Sequence, residues 1–173
     1  MTLTQSIQEC SLTLPLNQWE RIICEIMGPR RKFDSDKQKR KTRNTLGSKS
    51  QIHLDYIGFI GELAFAKLLG LYPNFSEKPD GKWDYKLADG RTVDVKATTF
   101  EQGKKKRLLI KTSEAQRLTC DLFALMEIDL ENLQVTLKGY ATQKMVMEAP
   151  VLDFGYGYTF ALDMDKLKRL EDV

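Results

Sequence analysis

The stretch Lys82-Trp83-Asp84-Tyr85-Lys86-Leu87-Ala88-Asp89-Gly90-Arg91-Thr92-Val93-Asp94-Val95-Lys96-Ala97 reads as a β-hairpin. Asp89-Gly90 is a tight-turn dipeptide, and the residues on either side of it alternate in polarity. Before the turn, Trp83, Tyr85 and Leu87 face one way and Asp84 and Lys86 the other. After it, Val93, Val95 and Ala97 share one face, and Asp94 and Lys96 share the opposite one, roughly 7 Å apart at ~3.3 Å per residue. A two-residue loop at Asp89-Gly90 would set Asp84 against Val95 and send Asp84 and Asp94 to opposite faces. A common role for the two acids therefore predicts an odd-numbered loop or a bulge between them.

Upstream of the hairpin, residues 54–69 form an apolar helix that ends at Gly70. A helix that is apolar almost all round is largely buried. Gly58 and Gly61 are expected to let it approach a sheet closely. Glu62 interrupts its apolar body, stacked on Phe59 and Ala66. A buried carboxylate without a partner costs several kcal/mol, so Glu62 is expected to face a cation. An earlier helix is predicted over 15–27, with Trp19, Ile22, Ile23 and Ile26 as its apolar stripe and Gly28-Pro29 after its end. Trp19 and Trp83 are expected to be core anchors.

Downstream, strands are predicted over 108–111, 122–128, 134–140 and 158–162. The continuous apolar run at 122–128 is typical of a strand buried on both faces. Short helices are predicted over 113–119 (with Ser113 and Gln116 as a capping box), 142–148 and 165–171. These elements predict an α/β fold with a mixed sheet of about five or six strands and helices on both faces, all in a single domain over 1–173.

The chain has 173 residues, 42% of them hydrophobic, enough for one core without staples. It holds no apolar run of the roughly 18 residues that would span a bilayer, so no membrane association is expected. A secretory signal is not expected either, and a reducing cytoplasm suits Cys10, Cys24 and Cys120, which form no CxxC pair. His53 is the single histidine, which argues against zinc and excludes any mechanism that needs two imidazoles. A metal here would be a hard cation held by carboxylates.

Charge is unevenly spread. Between Arg30 and Lys49, nine basic residues stand against Asp34 and Asp36, a net +7; the remaining 18 basic and 22 acidic residues leave the rest of the chain at −4. This asymmetry suggests a polyanionic partner. The segment 30–50 is expected to be a mobile loop or weakly ordered helix, with Arg30, Arg31, Lys32, Lys39, Arg40, Lys41 and Arg43 as candidate phosphate contacts; a plain solvated loop is the competing reading.

Three carboxylates and one lysine are what metal-assisted phosphodiester hydrolysis requires. Carboxylates hold Mg²⁺ through oxygen, and the metal polarises a phosphate and acidifies a bound water. A lysine can orient or deprotonate that water, or offset charge developing on phosphorus. The set Glu62 in Gly61-Glu62-Leu63-Ala64, Asp84 in Trp83-Asp84-Tyr85, and Asp94-Val95-Lys96 resembles the PD-(D/E)XK, or restriction-endonuclease-like, nuclease superfamily. The order helix, strand, strand, strand, helix, strand over about 54–128 is also similar to that family's core. Trp83 stands where the motif's name has proline.

The resemblance implies a restriction-endonuclease-like fold. It also implies a Mg²⁺ site, in which Mn²⁺ can substitute, formed by Glu62, Asp84, Asp94 and the Val95 carbonyl. Glu62, Asp84, Asp94 and Lys96 would be the catalytic set, Lys96 being the catalytic lysine. The function expected is a metal-dependent nuclease, with DNA as substrate and a homodimer or protein partner as one source of specificity. The alternative is a non-catalytic nucleic-acid-binding or protein-interaction module on the same fold, with Asp94–Lys96 an ion pair on a solvated sheet face and Glu62 a rim residue.

Overall fold

The structure, a computed structural model, describes residues 12–37, 51–73, 75, 83–103, 105–116, 119–155 and 157–172, with the backbone alone at 31–37 and 51. The elements are β1 (Leu12–Pro15), α1 (Gln18–Lys37), α2 (Gln51–Leu68), β2 (Tyr85–Lys86), β3 (Thr92–Thr99), β4 (Arg107–Lys111), α3 (Thr112–Ala115), β5 (Leu122–Asp129), β6 (Gln134–Thr142), α4 (Gln143–Met147), β7 (Val151–Asp153) and β8 (Tyr158–Asp163), followed by 3₁₀ turns at Met164–Lys166 and Leu170–Asp172. Strands and helices thus form a mixed α/β architecture.

Five strands make the main sheet in the order β1-β6-β5-β3-β2, and β3 and β5 run parallel while the other pairs are antiparallel. A second sheet has the order β4-β8-β7. The strand predicted over 108–111 therefore lies outside the main sheet. β5 explains the layering. Leu122, Ala124, Met126 and Ile128 join the core under α2, whereas Phe123 and Leu125 join a second core formed with β4, β8, α3 and α4. Period-2 alternation gives each face of β5 its own apolar layer, as a strand buried on both sides requires. Helices lie on both faces, as expected, but a second sheet was not expected. One face carries α2 with α1 behind it; the other carries the second sheet and two short helices.

The N-terminal helix also departs from expectation. Residues 12–15 pair with β6 as an edge strand, and Pro15 ends it. The helix starts after Asn17, where Glu20 N–H donates to Asn17 Oδ1 at 2.9 Å and Asn17 N–H donates to Glu20 Oε2 at 2.7 Å, a reciprocal cap. It then runs through Gly28-Pro29 to Lys37. Packing explains the continuation: a Cβ at Gly28 would sit 3.0 Å from Tyr56 Cβ, so α1 presses its backbone onto α2 there. The buried side of α1 is Cys24 and Met27 with Ile23 beside them, and Trp19 (73% exposed) and Ile26 (60%) point outward. Trp19 is thus no core anchor, while Trp83 is packed against the second core.

The basic segment divides in the same way. Arg30 is exposed on α1, Arg31 and Lys32 continue that helix, and Lys39, Arg40, Lys41 and Arg43 lie outside the described residues. At least up to Lys37 the segment is helix, not loop. Near the C-terminus, two 3₁₀ turns replace the helix predicted over 165–171. None of the described helices is long and apolar enough to cross a membrane.

Candidate active site

The hairpin sets the site. Tyr85 pairs with Val93 and Lys86 with Thr92, while Leu87 N–H donates to the Arg91 carbonyl at 2.8 Å. Ala88-Asp89-Gly90 is therefore a three-residue loop, closed by Gly90 N–H on the Leu87 carbonyl at 3.0 Å. Gly90 has φ +93°, a conformation in which a side chain is strained. The expected odd-numbered loop is present. Asp84 N–H bonds to the Val93 carbonyl at 2.9 Å, although Tyr85 is the register partner of Val93, so two successive residues address one. That local bulge frees the Asp84 side chain from the alternation, and its Oδ2 accepts from Val95 N–H at 2.7 Å. Because N–H and C=O of one strand residue point to the same side, the Val95 carbonyl also points to the edge of β3 that β2 leaves uncovered.

Asp94 and Lys96 lie on the face of β3 that looks toward the second core. Asp94 is buried, 7% exposed. Lys96 Nζ lies 2.7 Å from Asp94 Oδ2 and 2.7 Å from Glu114 Oε1 on α3. The contact with Glu114 is a hydrogen bond donated by the ammonium. The contact with Asp94 is ionic and off the hydrogen-bonding directions, leaving Asp94 Oδ2 enclosed without an aligned donor. Glu62 comes from α2, which packs on the other face of the sheet, and its charge acts on both Asp84 and Asp94. Its helix approaches so closely that a Cβ at Gly61 would lie 2.7 Å from Ala97 Cβ. Tyr85 Oη fixes the helix from below by donating to the Glu62 carbonyl at 3.1 Å. Gly58, by contrast, faces open space and plays no part in the approach.

Electrostatics tie these groups together. Burial pushes the Asp84 carboxyl well above the usual carboxylate range, and the charges of Glu62 and then Asp94 push it further. Burial likewise raises Asp94, against the pull of Lys96. Burial works against the Lys96 charge, but Asp94 and Glu114 outweigh it and hold the ammonium above its ordinary value. Cys120, two residues before β5, is a buried neighbour whose thiol burial and the Asp94 charge push up to about 12. Glu114 and Cys120 were not legible as site residues. The signal for Glu114 was an acid one turn beyond the third strand of the motif. α3 starts from Lys111 with no side-chain cap, so the Ser113 capping box is absent.

The sequence matches no protein-family model and shows no significant similarity to a curated protein.

Among the described residues, no group of three or more Asp, Glu, His or Cys side chains is arranged to hold one metal ion. The chemistry of the donor set nevertheless fits a hard divalent cation. Every candidate donor is an oxygen, Asp94 Oδ2 is buried without an aligned donor, and Asp84 and Asp94 are raised by burial that a cation would offset. By the sequence expectation Glu62, Asp84, Asp94 and the Val95 carbonyl would hold it, although as placed the three carboxylates do not form a group arranged around one ion. A bound divalent ion supplies Lewis acidity and an acidified water. For its part, the chain supplies a charged Lys96 suited to orienting water or offsetting negative charge, and an enclosing wall that strengthens both effects.

Proposed function

We propose that this chain is a Mg²⁺-dependent nuclease of restriction-endonuclease-like fold that hydrolyses phosphodiester bonds in DNA. The observation that carries the reading is the pairing of buried Asp94 with half-buried Asp84, whose carboxylate accepts from the adjacent Val95 N–H at 2.7 Å, with the Lys96 ammonium 2.7 Å from Asp94. A fold that buries carboxylates against one another gives up stability, and a site that binds cations is the common reason for such an arrangement. The α2–β2–β3 frame, followed by α3 and a strand parallel to β3, also supports it. The placement of β4 in the second sheet is the main departure from the expected frame.

A second reading is favoured by a specific observation: Lys96 already sits between two carboxylates, as a structural ion network would have it. In that case the chain is a non-catalytic nucleic-acid-binding or protein-interaction module. Cleavage of labelled single-stranded, double-stranded and branched DNA with Mg²⁺ and Mn²⁺ separates the two. The nuclease cuts at least one substrate with metal and none with chelator. A protein that binds DNA yet cuts none of them overturns the proposal.

A further inference from the structure

The proposed metal site contains a resident cation, and its position raises the question of where that cation goes. Lys96 Nζ lies at the same distance, 2.7 Å, from a carboxylate that would hold the metal, Asp94, and from one that would not, Glu114. The two contacts differ in kind. Glu114 accepts a hydrogen bond from the ammonium, whereas Asp94 makes an off-axis ionic contact. Glu114 also comes from a different element, α3, whereas Asp94 is on β3. A divalent ion on Asp94 would repel the ammonium from that carboxylate. Side chains of Lys96 and Glu114 are 20% and 17% exposed, so solvent offers an expelled ammonium little compensation.

We propose that Glu114 is the positioning residue for Lys96: it takes over the ammonium when a divalent cation claims Asp94, and so keeps Lys96 beside the metal. This rests on the nuclease reading of the site. Lys96 and the metal are competitors for Asp94, and Glu114 makes their joint presence possible. Without Glu114, the ammonium has Asp94 alone, and metal must displace it into a poorly solvated space.

The test is Mn²⁺ binding by calorimetry on the full chain, with thermal melts of each variant. Glu114→Gln, close in shape, should weaken Mn²⁺ binding by roughly tenfold or more, the scale of removing a group that supports a metal ligand. Simple loss of one negative charge would do so whether or not Lys96 is present. The Lys96→Gln background separates the two causes: there, Glu114→Gln should change affinity by no more than about twofold, the scatter of independent sites. An equal loss in both backgrounds overturns the proposal, as does an unchanged affinity in Glu114→Gln alone. Glu114→Asp keeps the charge but withdraws it by one methylene, and it needs no double variant. It should also weaken binding, and wild-type affinity there overturns the anchoring role. If the parent chain binds no Mn²⁺ at all, the metal-site reading falls and this inference with it; if the parent binds and the variants behave alike, only the inference falls.

Discussion

Asp84 brackets Asp94 across the hairpin: its amide bonds to the Val93 carbonyl at 2.9 Å and its carboxylate to the Val95 amide at 2.7 Å, one residue to each side of Asp94. The three-residue loop makes this possible. One residue fewer would shift the register and separate the two acids.

The same bracket has a cost that pH should reveal. Burial first, then Glu62 and Asp94, raise the folded-state pKa of Asp84 above its unfolded value of about 4. A folded state that holds the proton more tightly than the unfolded one loses stability as pH rises through that interval. In chelator, the melting temperature should fall from about pH 4 towards neutrality. Asp84→Asn keeps an acceptor for Val95 N–H but removes the charge, so it should flatten this fall and melt higher than the parent at neutral pH. A lower neutral melting temperature for Asp84→Asn would contradict the electrostatic account.

Gly61 and Gly58 provide a paired test of the α2–β3 approach. A Cβ at Gly61 lands 2.7 Å from Ala97 Cβ, so Gly61→Ala should cost about 1–3 kcal/mol of stability by forcing the helix off the strand. Gly58 meets nothing within 4 Å, so Gly58→Ala should instead stabilise by up to ~1 kcal/mol through helix propensity. Urea unfolding measures both, and equal effects of the two changes would show that the close approach is not what Gly61 provides.

Cleavage assays bear on the chemistry directly. Asp94→Asn should weaken metal binding and abolish cutting. Lys96→Ala leaves the carboxylates in place, so metal should bind at least as well while turnover falls by roughly 10²-fold, the scale of losing an acid–base or electrostatic group. Turnover of Lys96→Ala within twofold of the parent would remove Lys96 from the mechanism.

Salt dependence tests the basic segment. Changing Lys39, Arg40, Lys41 and Arg43 to glutamine should flatten the slope of log DNA affinity against log salt by roughly 3–4 units, since each phosphate contact contributes about 0.9. An unchanged slope would assign DNA binding to another surface.

Much of the frame was legible because alternation and turn chemistry are local properties. Val93, Val95 and Ala97 against Asp94 and Lys96 fixed which faces β3 presents, Asp89-Gly90 marked the turn, and Leu122 to Ile128 declared a strand covered on both sides. Side-chain alternation and the conformational freedom of glycine need no partner to be read. The α1 stripe failed for the opposite reason. Trp19 and Ile26 have the right spacing, but which stripe is buried depends on where α2 lies, and Gly28 against Tyr56 turns α1 to bury Cys24 and Met27.

By itself, then, the sequence determined the strand faces and the turn, and nominated Glu62, Asp84, Asp94 and Lys96 as the candidate site. The tertiary structure alone decided that β4 joins a second sheet, that Glu114 meets Lys96, and that Asp84 escapes strand alternation to reach Val95. Each of those depends on contacts between residues distant in sequence or on a bulge in the pairing. Backbone periodicity specifies the direction in which a side chain leaves its own strand, but not which element is packed there to receive it.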